Sequence, residues 1–310
     1  MQKFSRSLKL MGNMFTLTVV AETAEEGHGY IEMAISEIER IEALLTTYND
    51  NSQTQQINKH AGIAPVAVDR EVYELIERSI AISRITQGAF DISFGGIDKS
   101  LWNFDRSMTA LPSVKDAKKS IHLINYRNII LNPEDGTVFL KKEGMRIGFG
   151  GIGKGYAAEI AKRLLLQNNV KAGIINASGD LTAWGLQPGG EPWRIGISDP
   201  DKPDNVFSYL NVSGKAVATS GNYEKYIMTG GKRYSHTIDP KTGLPIHGIK
   251  SVTVIADNAE FADAMATPIA VMGIQAGLTM VNQIPGLHCI IIDDNNRLYT
   301  SNDINLKQHI

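Results

Sequence analysis

The chain has 310 residues, 31 Lys+Arg against 33 Asp+Glu, a formal net charge of −2 and 43% hydrophobic residues. That supplies apolar material for one large or two medium domains, and the balanced charge argues against a nucleic-acid-binding surface, which needs a basic excess or patch. Its single cysteine, Cys289, excludes an intrachain disulfide and a cysteine-based zinc site, and leaves no redox-compartment signal.

The N-terminus, Met1 to Ser7, is basic, but no apolar run of roughly 7–15 residues follows it as a signal peptide requires. No stretch approaches the ~18–20 apolar residues of a membrane span. Taken as given, the chain reads as soluble and cytoplasmic; a periplasmic or membrane-anchored protein is the alternative if an export signal precedes Met1. Phe15 to Val20 alternates β-branched and aromatic residues, so it is predicted as a strand. From Gly27 to Leu45, Ile31, Ala34, Ile35, Ile38, Ile41 and Leu45 recur at helical spacing, with Glu32, Glu39 and Glu42 outside. Asp69 is placed to N-cap a second helix whose apolar face is Val72, Leu75, Ile76 and Ile80.

The mixed stretch from Asp105 to Glu143 suggests short strands and turns, with Asn132 to Gly136 as one turn. A third helix is expected over Gly155 to Leu166, with Tyr156, Ile160, Leu164 and Leu165 inward. Further strands are expected at Gly173–Ala177, Trp193–Ile197, Lys215–Thr219, Ser251–Ala256 and Leu287–Ile292. The last turns at Asp293–Asn296 into a hairpin with Arg297–Thr300. Strands outnumber helices and do not alternate with them one for one. The expected class is therefore α+β, mixed or antiparallel sheets with helices packed on them, rather than a doubly wound parallel sheet. No repeat or linker is visible. A single interwoven domain over 1–310 is the simplest organisation, with a two-lobed form left open.

Residues 147–157 read IGFGGIGKGYA, with Gly148, Gly150, Gly151, Gly153 and Gly155 just before the third helix. Glycines and a helix N-terminus let backbone N–H groups approach an anion, and Lys154 adds a full charge. A pyrophosphate or metal-phosphate cradle and a tight strand-to-helix turn both fit. A Walker A loop does not, because Gly155 follows Lys154 where Ser or Thr is required. Asp263 and Thr267 stand at i and i+4, on one face of a helix. They are hard oxygen donors of the kind Mg²⁺ uses, or a helix-initiating Asp and a Thr bonded to a carbonyl. Pro268 cannot donate to the Ala264 carbonyl, which would leave that oxygen for water or a cation.

His236 lies among hydroxyls, with Asp239 three residues on, as a general base or an exposed loop histidine. Asp239 to Gly243 is a turn signature needing no chemistry. Tyr48 and Phe90 would stack on a planar ligand or fill the core. His28, His60, His122, His247, His288 and His309 form no metal-ligand spacing, no G-x-S-x-G elbow is present, and Cys289 reads as inert core.

The order of these motifs is more specific than any one of them. It runs Met11-Gly12, Leu45-x-x-Tyr48, Gly88-Ala89-Phe90-Asp91, the GGIGKGYA segment and Asn176-Ala177-Ser178-Gly179-Asp180. It continues through Pro192 to Ile197, Ala218 to Gly221, YSHTIDPKTGLP and Ala262 to Thr267. From about residue 10 to 300 the chain resembles the ApbE family of FAD:protein FMN transferases. The resemblance implies an ApbE-like fold with the FAD site between lobes if it is two-lobed. It implies Mg²⁺-dependent transfer of FMN from FAD, as substrate, to a Ser/Thr hydroxyl of an acceptor flavoprotein, with release of AMP. The acceptor it implies carries a Ser/Thr flavinylation motif and is in some relatives a subunit of a membrane redox complex.

By matching positions, the resemblance implies FAD contacts at Met11, Tyr48, Ala89, Phe90, Asp91, Gly148, Lys154 and Ile238. It implies Mg²⁺ ligands at Asp263, Thr267 and the Gly151 carbonyl, and a catalytic His236. Two positions depart from the family pattern: Gly148, where many relatives carry Asp, and Pro268, where they often carry Ala. An FAD pyrophosphatase, with water as acceptor, and a non-catalytic FAD-binding protein are the competing readings.

Overall fold

The computed structural model describes residues 1–97, 101, 111–200, 202–221, 226–304 and 307–308. The first half of the chain forms β1 (Gln2–Leu10), β2 (Asn13–Ala21), α1 (Ala24–Leu45), α2 (Gln53–Lys59), β3 (Val66–Ala67), α3 (Arg70–Ile85), α4 (Val114–Ser120), β4 (Ile129–Asn132) and β5 (Thr137–Leu140). Then follow α5 (Gly153–Gln167), β6 (Gly173–Ala177), β7 (Asp180–Trp184), β8 (Trp193–Asp199), β9 (Lys202–Val212) and β10 (Lys215–Gly221). The last part holds β11 (Tyr226–Thr229), β12 (Lys232–Ile238), β13 (Pro245–His247), β14 (Ile249–Ala256), α6 (Ala259–Met272), α7 (Ile274–Val281), β15 (His288–Asp293), β16 (Leu298–Thr300) and β17 (Lys307–Gln308).

The α+β expectation holds, and the sheets are antiparallel among the described residues. Eight strands form the main sheet in the order β1-β2-β6-β7-β10-β14-β15-β16. Three smaller sheets are β3-β5-β4, β11-β12-β13 and β17-β9-β8. In β2, Phe15, Leu17 and Val19 point into the core, as the alternation predicts. On that face α1 packs against β2, α5 against β6 and β7, and α6 against β10 and β14. On the other, Trp193 and Val212 of β8 and β9 cluster with Val20, Leu181 and Val217.

Helix α1 buries the predicted stripe and opens with a full capping box between Thr23 and Glu26. Helix α3 starts after Asp69 as expected, yet Asp69 makes no side-chain cap bond, because its Oδ2 accepts from Gln53 Nε2 on α2 at 2.5 Å. Helix α6 is buried nearly all round, as its apolar sequence demands. The turn after β15 is built by Asp293, whose Oδ1 accepts from Asn295 N and Arg297 N, both at 2.8 Å.

Two expectations need correction. The stretch after residue 110 holds a helix, α4, besides the hairpin β4–β5, and Ser113 caps it by accepting from Asp116 N. Residues 105–110 of that stretch, and His309, lie outside the described residues. The third helix begins at Gly153 rather than Gly155, so Gly153, Lys154 and Gly155 form its first turn.

Candidate functional site

The N-terminus of α5 is the centre of the arrangement. Its N-cap, Ile152, has no side-chain acceptor to offer the free N–H groups of the first turn. The acceptor comes from α6 instead: Asp263 Oδ2 takes the Gly155 N–H at 2.9 Å. None of the five loop glycines sits in the left-handed region. What glycine supplies here is space. A Cβ on Gly155 would stand 2.1 Å from the Ala259 carbonyl oxygen, so only glycine lets α5 lie this close to α6. At Gly150 an added Cβ would meet nothing within 4 Å, and at Gly148 only Thr47 Cγ2 at 3.9 Å. The loop backbone is therefore open to a ligand at those two positions.

Three charges meet at this helix end. Lys154 Nζ forms an ion pair with Asp180 Oδ2, and Asp180 Oδ1 accepts from Thr219 N at 3.2 Å. Burial and the neighbouring Asp180 push the Asp263 carboxyl up to about 7, against the pull of Lys154 and of the Gly155 N–H. Burial also raises the Asp180 carboxyl, with Lys154 pulling it back. Burial works against the Lys154 ammonium, but Asp263 and Asp180 outweigh it and hold its pKa above the usual value. Two buried carboxylates thus share one lysine.

The expected FAD-contact residues divide by setting. Met11 and Gly12 turn β1 into β2, with φ of 50° and 74°, the two positive values a type I′ hairpin requires. Glu42 Oε2 holds the Met11 N–H at 2.7 Å, so this glutamate, expected to face outward, is a structural partner of the turn. Met11 Cε lies beside Gly153, and Phe90 Cε2 beside Gly151. Thr47, next to Tyr48, flanks Gly148. Tyr48 is 96% exposed, whereas Phe90 is 6% exposed in the core, beside the likewise buried Ala89. The Asp91 carboxylate is buried and committed: Oδ1 accepts from Ser93 N and Oγ, and Oδ2 from Tyr126 N. Burial raises its pKa.

Asp263 and Thr267 lie together on α6, and Pro268 lies inside that helix, where its nitrogen cannot donate to the Ala264 carbonyl. Asp263 Oδ1 and the Thr267 hydroxyl make no hydrogen bond among the described residues. No group of three or more His, Cys, Asp or Glu positioned to hold a metal occurs among those residues. A cation here would therefore draw on carbonyl, hydroxyl and ligand oxygens besides Asp263. The excess of buried carboxylate over lysine fits a divalent cation.

His236 lies in strand β12 rather than in a turn, and it is exposed. Asp239 is engaged in the turn that follows β12. Its Oδ1 accepts from Lys241 N and its Oδ2 from the Thr242 hydroxyl, closing the turn into β13. Ile238 is buried against Ile97 and Ala117. A cavity of about 360 Å³ opens where Tyr234, Leu244 and His247 of this small sheet region face Ala270 and Val271 of α6. Val271 is one helical turn past Thr267.

The sequence reading assigned no role to Asp180 or Glu159. Asp180 was within reach, because it ends the Asn176–Asp180 motif. Glu159 shows only a local pairing with Lys162, and nothing nearby signals its contact to Ala259, 100 residues away.

A model of the ApbE family matches residues 11–291. The FAD:protein FMN transferase of Treponema pallidum (strain Nichols) is 30% identical over 319 residues, covering 97% of this chain and 87% of that protein. The crystal structure of an ApbE protein from Thermotoga maritima superposes with a TM-score of 0.86 at 31% identity, covering 97% of both chains. The apo flavinyl transferase ApbE of Pseudomonas stutzeri gives 0.83 at 25% identity, covering 97% of this chain and 96% of that one. Among the described residues no helix is long and apolar enough to cross a membrane.

Proposed function

The chain belongs to the ApbE family, and we propose that it transfers FMN from FAD to a Ser or Thr hydroxyl of an acceptor flavoprotein, with Mg²⁺ and with release of AMP. The observation that carries this reading is the α5 N-terminus. An open glycine backbone, Lys154 and the buried Asp180–Asp263 pair converge there, which is what a pyrophosphate and a divalent cation require.

Gly150 leaves room for the pyrophosphate against the loop backbone, Gly148 leaves room for another part of the nucleotide, and Lys154 counters the pyrophosphate charge. Tyr48 is exposed beside this loop and free to cover a planar ring. Asp263 Oδ1, the Thr267 hydroxyl and the Gly151 carbonyl are the oxygens that would hold Mg²⁺. Bound there, Mg²⁺ would offset the charge that builds on the phosphoryl oxygens and on departing AMP. The acceptor oxygen attacks the FMN-side phosphorus, the bond to AMP breaks, and the hydroxyl proton passes to His236. His236 is exposed, as a base that serves an incoming protein must be. The acceptor as a membrane redox subunit stays an expectation of the resemblance alone.

The test incubates the chain with FAD, Mg²⁺ and an acceptor domain carrying a target Ser or Thr. Flavin fluorescence on the acceptor band in a denaturing gel is expected. Free FMN and AMP with an unlabelled acceptor would mean hydrolysis, and unchanged FAD would mean binding only. Transfer at the wild-type rate by Asp263→Ala or His236→Ala would overturn the roles given to those residues.

A further inference from the structure

We propose that Glu159 is a positioning residue for Asp263, acting by fixing the N-terminus of α6 against α5. This rests on the reading of Asp263 as a Mg²⁺ ligand. Glu159 lies on α5 one turn after Gly155 and is 4% exposed. Its Oε2 accepts from Ala259 N at 3.0 Å, and Ala259 is the first residue of α6. In the opposite direction, Asp263 on α6 accepts from Gly155 N in the first turn of α5. Each helix thus supplies a carboxylate that caps the other's first turn, where free N–H groups and the helix dipole favour negative charge.

The spacing makes this one device rather than two contacts. Residues 155 and 159 are one turn apart on α5, and 263 and 259 are one turn apart on α6, so the two caps occupy successive turns of a single seam. Between them the Gly155 backbone lies against the Ala259 carbonyl with no room for a methyl group. The seam cannot slide without breaking a cap, and Asp263 Oδ1 is thereby aimed relative to the glycine loop. The N-cap of α6 itself, Asn258, is occupied with Phe261 N at 2.8 Å, leaving the Ala259 N–H to Glu159.

A purely structural ion pair would not need this reach. Glu159 Oε1 pairs with Lys162 Nζ at 2.7 Å within α5, three residues on, and that pair would be complete without α6. The contact to Ala259 is what ties the glycine-loop helix to the helix of Asp263.

Two variants separate reach from charge. Glu159→Asp keeps the charge beside Lys162 but is one methylene too short for Ala259 N. Glu159→Gln with Lys162→Met keeps an acceptor at full length, removes the charge and leaves no buried ammonium unpaired. Mn²⁺ is titrated by electron paramagnetic resonance into the full chain with saturating FAD and no acceptor, and melting points are recorded alongside. Glu159→Asp is expected to bind Mn²⁺ at least tenfold more weakly, and the double variant within threefold of wild type. Added to Asp263→Ala, Glu159→Asp is expected to cause no further loss, because it acts through Asp263. If Asp263→Ala loses Mn²⁺ binding while Glu159→Asp keeps wild-type affinity, the positioning role is overturned. If Asp263→Ala itself binds Mn²⁺ like wild type, the ligand reading of Asp263 fails instead.

Discussion

Replacing Gly155 by Ala forces apart the two helices that carry the site. The new Cβ would lie 2.1 Å from Ala259 O, 2.7 Å from Ala259 C and 2.7 Å from Asp263 Cβ. Two of these atoms are backbone, so no rotamer change relieves the clash. Restoring ordinary contact needs a separation of roughly 1.3 Å, well beyond the slack of a close-packed interior. A shift of that size takes the 2.9 Å bond between Gly155 N and Asp263 Oδ2 out of hydrogen-bond range.

Overpacking costs about 1–3 kcal/mol. Loss of a hydrogen bond to a charged group adds about 1.5–3 kcal/mol. The better helix propensity of Ala returns at most ~1 kcal/mol. A net loss of about 1.5–5 kcal/mol follows, which lowers the melting point by roughly 2–8 °C for a chain of this size. The assay is thermal unfolding followed by circular dichroism. Gly150→Ala is the control, because its Cβ would meet nothing within 4 Å. It is expected to melt like wild type while weakening FAD binding, since its methyl group enters the space assigned to the ligand. If Gly155→Ala melts within about a degree of Gly150→Ala, the seam is not close-packed and the account of α5 against α6 fails.

Tyr48→Ala is expected to leave the melting point unchanged and to raise the KM for FAD, because the ring is 96% exposed. Phe90→Ala, at 6% exposure, is expected to cost about 3–5 kcal/mol in chemical denaturation. Equal destabilisation of the two would contradict their different settings. Gly148→Asp is sterically open, since its Cβ meets only Thr47 Cγ2 at 3.9 Å. It is expected to melt like wild type and to lower the KM for FAD; an unchanged KM would deny that residue 148 faces the nucleotide. Burial pushes the Cys289 thiol up to about 12. A thiol raised on folding stabilises below its unfolded pKa of about 8.5, and that contribution is lost as pH rises from there toward 12. Native protein at pH 8 is therefore expected to resist thiol-specific reagents until it unfolds. Between pH 8 and 10 wild type is expected to lose more stability than Cys289→Ala, and parallel losses would refute the sign.

Local patterns were legible and pairwise geometry was not. The stripe of α1, the alternation of β2 and the turn before β16 are written in consecutive residues, and each appears as read. Strand β1 was missed because it is an exposed edge strand whose outer residues are Lys, Arg and Ser. Helix α4 was missed because its seven residues after the cap Ser113 include only Val114 and Ala117 as apolar positions, too few for a periodic stripe to stand out. The site follows the same rule. Asp263 and Thr267 announce themselves by spacing along one helix. The commitment of Asp91 to Tyr126, and of Glu159 to Ala259, depends on pairings across 35 and 100 residues that no local pattern encodes.

The carboxylate that caps α5 is also the proposed metal ligand, and the two roles place different demands on it. As a cap, Asp263 needs only an acceptor oxygen for Gly155 N, and an asparagine would supply one. As a ligand it needs its charge, which burial and Asp180 both oppose. The charge therefore costs stability in the metal-free chain, and a neutral cap would fold more readily. Glu159 shows the alternative: a buried carboxylate cap with its own lysine, closed on itself. Asp263 has no such private partner, because Lys154 is paired to Asp180. Of two symmetric caps on one seam, only the one beside the glycine loop is left with charge to share. That asymmetry distinguishes a site for a cation and a pyrophosphate from a pair of helices merely packed together.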